Sequence, residues 1–74
     1  MFIEFNKIMV NINYIIIIYK TTYTTTNLRD NETFFTINLT YNHIQNVYDI
    51  REIYNTAIER DERFKEIIKE INNK

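Results

Sequence analysis

Four consecutive isoleucines, Ile15–Ile18, lie between Tyr14 and Tyr19. On a strand, side chains alternate, so two of the four must point to each side of the sheet. Strict alternation puts Ile15, Ile17, Tyr19 and Tyr23 on one face. It puts Ile16, Ile18 and Lys20 on the other. A chain of 74 residues supplies one domain and little material to cover both faces. The segment from Ile12 to Thr24 carries one charge, Lys20, so a pair of isoleucines left in water is an aggregation hazard. The sequence therefore predicts a second copy of the chain as cover, and hence a homo-oligomer.

Other ways to support a small core are narrow. There is no cysteine, which excludes disulfides and thiolate zinc sites, and a single histidine excludes a His-rich metal site. The net charge is −1 and evenly spread. Lys7, Lys20 and Arg29 balance Glu4, Asp30 and Glu32 in the first part, and six basic residues meet seven acidic ones after residue 42. Without a basic arm, a grip on nucleic acid is not expected. Glu4 and Lys7 interrupt the start, so no secretory leader is expected. The longest apolar run is far short of the roughly 20 residues of a membrane helix. The expectation is a soluble, cytoplasmic protein with no membrane partner. Asn31-Glu32-Thr33 and Asn38-Leu39-Thr40 then read as chance glycosylation sequons. The chain has no glycine and no proline and is rich in Ile, Asn, Tyr, Thr and Lys. That mixture suits AT-rich coding DNA, as in low-GC bacteria, their phages and some viruses.

The predicted fold class is α+β: a small antiparallel sheet of three to four strands (residues 1–41) followed by a long C-terminal helix (residues 42–72), one domain in all. Phe2–Phe5, Ile8–Ile12, Ile15–Thr24 and Thr33–Tyr41 read as strands. Asn11 and Asn13 can turn the chain where glycine is missing, and Asn27 with Asp30-Asn31 mark a second turn. Phe35, Ile37, Leu39 and Tyr41 alternate with Thr36, Asn38 and Thr40, giving one dry and one polar face. Asn42 with Gln45 fits a capping box, and apolar residues from Ile44 to Ile58 recur at helical spacing. Ile50, Ala57, Phe64 and Ile71 fall seven apart, with Ile53 and Ile67 in the companion row. Together with Ile16 and Ile18 they form the expected oligomer interface. Arg60 interrupts the stripe, but Glu59→Arg63 and Asp61→Lys65 pairs favour one continuous helix.

Catalytic chemistry finds few groups. His43 has neither serine nor cysteine to activate. A metal set of His43, Asp49 and Glu52 does not keep one helix face. The paired carboxylates sit on a charge-mixed helix, where a solvated face explains them. Without glycine there is no phosphate-binding loop. A non-enzymatic protein without cofactor or metal is expected. The six tyrosines suit a recognition surface as well as a wet-edged core. Lys20, Tyr23, Arg29 and Asn38 are the groups suited to a nucleotide: cations for phosphate, an amide for a base edge and a ring to stack on.

The layout MFIEFNKIMVNINYIIIIYK … TFFTINLTY … helix, with the turn Val10-Asn11-Ile12-Asn13-Tyr14-Ile15, resembles short FlbD-type flagellar proteins. It is also similar to phage anti-defence proteins of the Thoeris anti-defence group. That resemblance implies a small, oligomeric, non-enzymatic protein that sequesters a nucleotide immune signal at a subunit interface. The glycine often found before the fourth strand in such layouts is missing here. The alternatives are an anti-CRISPR-like inhibitor that blocks a host defence protein by protein–protein contact, and a structural or assembly component.

Overall fold

The computed structural model describes residues 1–26 and 31–73. A two-stranded antiparallel hairpin comes first, β1 (Phe2–Phe5) and β2 (Ile8–Asn11). A 3-10 turn over Ile12–Tyr14 leads into β3 (Ile15–Thr26). Asn11 starts that turn by accepting the Asn13 backbone N–H on its side-chain oxygen, at 3.0 Å. A three-stranded antiparallel sheet follows, β3–β4–β5, with β4 (Asn31–His43) in the centre and β5 (Asn46–Tyr54) on one edge. The helix α1 (Ala57–Asn72) closes the chain. The α+β class stands, with the strands divided between two sheets.

The isoleucine run is resolved by a β-bulge. Ile15 pairs with Tyr41 and Ile17 with Thr40, so Ile16 is the extra residue on β3. A bulge resets the alternation. Ile15 and Ile18 consequently both pack against the core, while Ile16 and Ile17 are about half exposed, at 55 % and 52 %. The expected pairing of Ile15 with Ile17 and of Ile16 with Ile18 is thus corrected at Ile15 and Ile16. Beyond the bulge it holds, with Ile18 and Lys20 on one face and Ile17, Tyr19 and Tyr23 on the other.

The covered face carries Ile37 and Leu39 of the central strand, both fully buried. Ile3, Phe5, Val10 and Ile12 of the hairpin region and Ile67 of the helix join them in one cluster. Hairpin and helix therefore cover the same side of the sheet, and the other side is open. Phe64, Ile67 and Ile71 recur at helical spacing and face this core. They were expected at an oligomer interface, but the sheet inside the chain takes them. Ile50 and Ile53 are not on a helix at all. They alternate on β5, Ile50 half-buried with the core and Ile53 exposed on the open face.

The helix thus begins at Ala57, not after Asn42. Thr56 is its N-cap and accepts the Glu59 N–H on its hydroxyl at 3.2 Å, the T-x-x-E signature that the Asn42/Gln45 pattern obscured. Residues 46–54 satisfy both periods, and pairing decides between them. As a strand, β5 satisfies the second edge of β4 and buries Ile50 and Tyr54 beside Leu39 and Phe35. The helix is unbroken through Glu59–Arg63. Arg60 does not interrupt its inner face: its guanidinium reaches over the Phe35 ring at 5.5 Å and donates to the Thr21 carbonyl at 2.9 Å and the Thr22 hydroxyl at 2.7 Å.

Two hairpins turn without glycine. Asn6 and Lys7 have φ of 48° and 65°, and Ile44 and Gln45 have φ of 47° and 66°. Positive φ at both central residues is the two-residue hairpin turn whose twist matches the strands. Asn tolerates it; a β-branched isoleucine does so at a cost of roughly 1–2 kcal/mol. Replacing Ile44-Gln45 by Asn-Gly should raise stability by about 1–2 kcal/mol in urea unfolding, and an unchanged or lower midpoint would refute the strain. Ile67→Ala should cost about 2–5 kcal/mol. Ile58→Ala, at a residue 72 % exposed on the outer face of the same helix, should change stability by less than about 0.5 kcal/mol.

Candidate functional site

The open face of the three-stranded sheet collects the side chains that the fold leaves available. β3 contributes Ile17, Tyr19, Thr21 and Tyr23. β4 contributes Phe34, Thr36, Asn38 and Thr40, and β5 contributes Val47, Asp49, Arg51 and Ile53. Alternation and register alone place them together.

Two hydrogen-bonded bridges cross this face. Arg51 donates to the Tyr23 hydroxyl at 2.9 Å, and its guanidinium lies 5.4 Å from the Tyr23 ring centre. Tyr23 in turn packs on Phe34 at 5.2 Å between ring centroids. This bridge passes over the central strand, where Thr36 is fully buried and donates to Asn38 Oδ1 at 3.0 Å. Asn38 Nδ2 donates to the Tyr19 hydroxyl at 3.1 Å. On the far side Thr40 donates to Asp49 at 2.5 Å. A shallow depression of about 230 Å³ lies between Tyr19, Asn38, Thr40, Asp49 and Arg51. Aliphatic side chains share the face with it: Ile17, Val47 and Ile53 are each more than half exposed.

Of the residues expected to hold a nucleotide, Tyr23 and Asn38 share this face. Lys20 lies on the covered side, 3.4 Å from Asp61 and over the Phe64 ring at 5.3 Å. Arg29 lies outside the described residues. Among the described residues of the sheet, the cation on the open face is Arg51, which the helical reading of residues 42–72 hid. The alternation Val47, Asp49, Arg51, Ile53 against Tyr48, Ile50, Glu52, Tyr54 was the available signal. His43 ends β4 and is exposed, Asp49 faces the open side and Glu52 the covered side. The three do not converge, and among the described residues no group of three or more His, Asp or Glu side chains is placed to hold a metal.

The densest ionisable cluster lies on the covered side and fastens the fold. Glu52 accepts the Asn6 N–H at 2.8 Å, the Arg63 guanidinium at 3.4 Å and the Tyr54 hydroxyl in a short hydrogen bond. Arg63 also donates to the Glu4 carbonyl at 2.5 Å. One carboxylate thereby ties the β1–β2 turn, β5 and α1 together. Burial, and then the hydrogen bond to Glu52, push the Tyr54 hydroxyl well above its ordinary value of 10.0. Burial alone would lower Arg63, but the charge and hydrogen bond of Glu52, together with Tyr54, outweigh it and hold the guanidinium more firmly charged. At the helix start, the hydrogen bond from Arg60 holds Asp61 below the usual carboxylate range, assisted by Lys20.

Among the described residues, no helix is long and apolar enough to cross a membrane. Compared with protein-family models, curated proteins and solved structures, the chain matches none.

Tyr54 makes the fold pH-dependent in a defined direction. Its folded-state proton is held more tightly than its unfolded one. The associated stability is fully present below the unfolded value of about 10 and is lost as pH rises through the folded value. Urea midpoints measured from pH 8 to 11.5 should fall steeply above about 10. Tyr54→Phe should cost about 1 kcal/mol at neutral pH and flatten that fall, beside the background of the remaining tyrosines. An identical slope in wild type and variant would remove Tyr54 as the cause.

Proposed function

We propose that this chain is a non-enzymatic binding protein whose working surface is the open face of the β3–β4–β5 sheet, and that it binds the surface of another protein. The observation that carries this reading is the company kept on that face. Ile17, Val47 and Ile53, exposed at 52 %, 60 % and 57 %, share it with Tyr19, Tyr23 and Arg51, and the carboxylates among its described residues are Asp49 and, at the start of β4, Glu32. Tyrosine and arginine beside aliphatic side chains, with few charges, match the composition of protein interfaces. The Arg51–Tyr23 and Asn38–Tyr19 bonds hold these side chains in place, which lowers the entropy lost on docking. The partner chemistry that fits is an apolar surface around a carboxylate for Arg51.

Capture of a nucleotide is the second reading. It is favoured by Arg51 stacked on Tyr23 with the Asn38 amide one strand away. Size argues for the first. Small-molecule sites are enclosed hollows of about 300–1,000 Å³. The depression here is about 230 Å³ and open.

Affinity capture with the purified chain tests both. Ile17→Lys and Ile53→Lys should each abolish recovery of a defined partner from a lysate of the source organism, while Ile58→Lys on the outer helix face should leave it intact. Loss of the partner with Ile58→Lys alone would move the working surface to the helix. A rise in melting temperature with cyclic nucleotides, removed by Arg51→Ala, would replace this reading with nucleotide capture.

A further inference from the structure

The strand β5 is the outer edge of the sheet, and its nine residues are self-complementary about their centre, Ile50. Laid antiparallel to a second copy in the register that sets Ile50 opposite Ile50, Asp49 faces Arg51 and Val47 faces Ile53. By symmetry each of these pairs occurs twice. On the other face Tyr48 comes opposite Glu52. We propose that two copies of the chain pair through β5 in this register, forming one continuous six-stranded sheet with both helices on the same side.

Backbone geometry limits the possible registers, and the side-chain charges choose among them. Ile44 and Gln45 form a two-residue turn, so the flanking pair His43–Asn46 exchanges both backbone hydrogen bonds. Hydrogen-bonded and non-hydrogen-bonded pairs then alternate along the ladder. Tyr48, Ile50 and Glu52 turn their N–H and C=O groups to β4. Val47, Asp49, Arg51 and Ile53 turn theirs outward, at the free edge. A symmetric antiparallel partner must match outward residues with outward residues. Sliding the register by one allowed step in either direction places Asp49 opposite Asp49 or Arg51 opposite Arg51, and like charges directly opposite are unfavourable. The Ile50-centred register is the one in which both charges find an opposite.

Asp49 accepts from Thr40 and Arg51 donates to Tyr23, and both bonds leave the charges themselves uncompensated. Among the described residues neither Asp49 nor Arg51 makes an ion pair within the chain. Both are exposed, as are Val47 and Ile53. Natural sheets protect long free edges, commonly with lysine, proline or a bulge. The bulge in this sheet lies on β3, at the other edge, where Arg60 also caps the Thr21 carbonyl. β5 has neither a lysine nor a bulge. Edge pairing leaves most of the open face uncovered and doubles its width; it shares Arg51 and Ile53 with the proposed binding surface, and chain mass in solution reads the pairing separately from partner capture.

A charge swap tests the pairing in the full chain. Sedimentation at tens of micromolar should give twice the 9.1 kDa chain mass for the wild type. Asp49→Arg and Arg51→Asp should each weaken the dimer by about a hundredfold, because each converts two attractive pairs into two repulsive ones. The double variant D49R/R51D restores both attractions and should dimerise like the wild type. Amide exchange supplies a check that needs no variant: the outward N–H groups of Asp49 and Arg51 should slow with concentration. A wild-type chain that stays at 9.1 kDa, single variants that remain dimeric, or a double variant that fails to recover would each overturn the proposal.

Discussion

The central strand β4 is where the energetics of this small protein concentrate. Ile37 and Leu39 are fully buried on one side of it, and every other core element reaches them: the hairpin through Ile3, Phe5 and Val10, the helix through Ile67. The chain has enough apolar material to cover that one side. It spends both the hairpin and the helix there, which leaves the opposite side of the same sheet bare. A sheet buried on one face and wet on the other is ordinary for antiparallel strands. Here the bare side is rich in isoleucine and tyrosine, and the candidate site follows from that allocation.

Polar groups fasten the cover to the sheet. Glu52 joins the β1–β2 turn, the edge strand and the helix through Asn6, Tyr54 and Arg63. Arg60 and the Lys20–Asp61 pair bind the other flank of the helix to β3. No buried side-chain nitrogen or oxygen among the described residues is left without a partner. The exposed Lys20–Asp61 pair adds little by itself in water. Strand alternation puts that lysine on the covered side, where Asp61 meets it. Among the described residues of the three strands, the open face has Arg51 as its cation.

The same alternation that buries Ile50 and Tyr54 exposes Asp49 and Arg51. Strand β5 therefore acts on both sides at once. It completes the core through one set of side chains, and through the other it supplies a charge pattern legible from a neighbouring strand. A helix over the same residues would have placed Ile50 and Ile53 on one apolar stripe and removed the edge altogether.

Composition and short-range pattern settled much of this from the sequence. The absence of cysteine ruled out disulfides, alternation over Phe35–Tyr41 defined a strand with dry and polar faces, and heptad spacing over Phe64, Ile67 and Ile71 picked out the apolar face of the helix, which the sequence assigns to a second copy and which is taken by the sheet of the same chain. Tyr23 and Asn38 stand out as binding groups from residue type alone, and the β3–β4 register is what sets them on one face. Residues 42–56 read as the start of the helix, because their apolar positions satisfy a helical period as well as a strand period, and Asn46–Tyr54 form a strand instead. Only long-range pairing with β4 resolved that choice, through ladder hydrogen bonds that no local window contains. The bulge at Ile16 and the pairing of Lys20 with Asp61 are of the same kind. Each depends on contacts between segments distant in the chain, and those contacts exist only once the sheet has formed and the helix has settled on it.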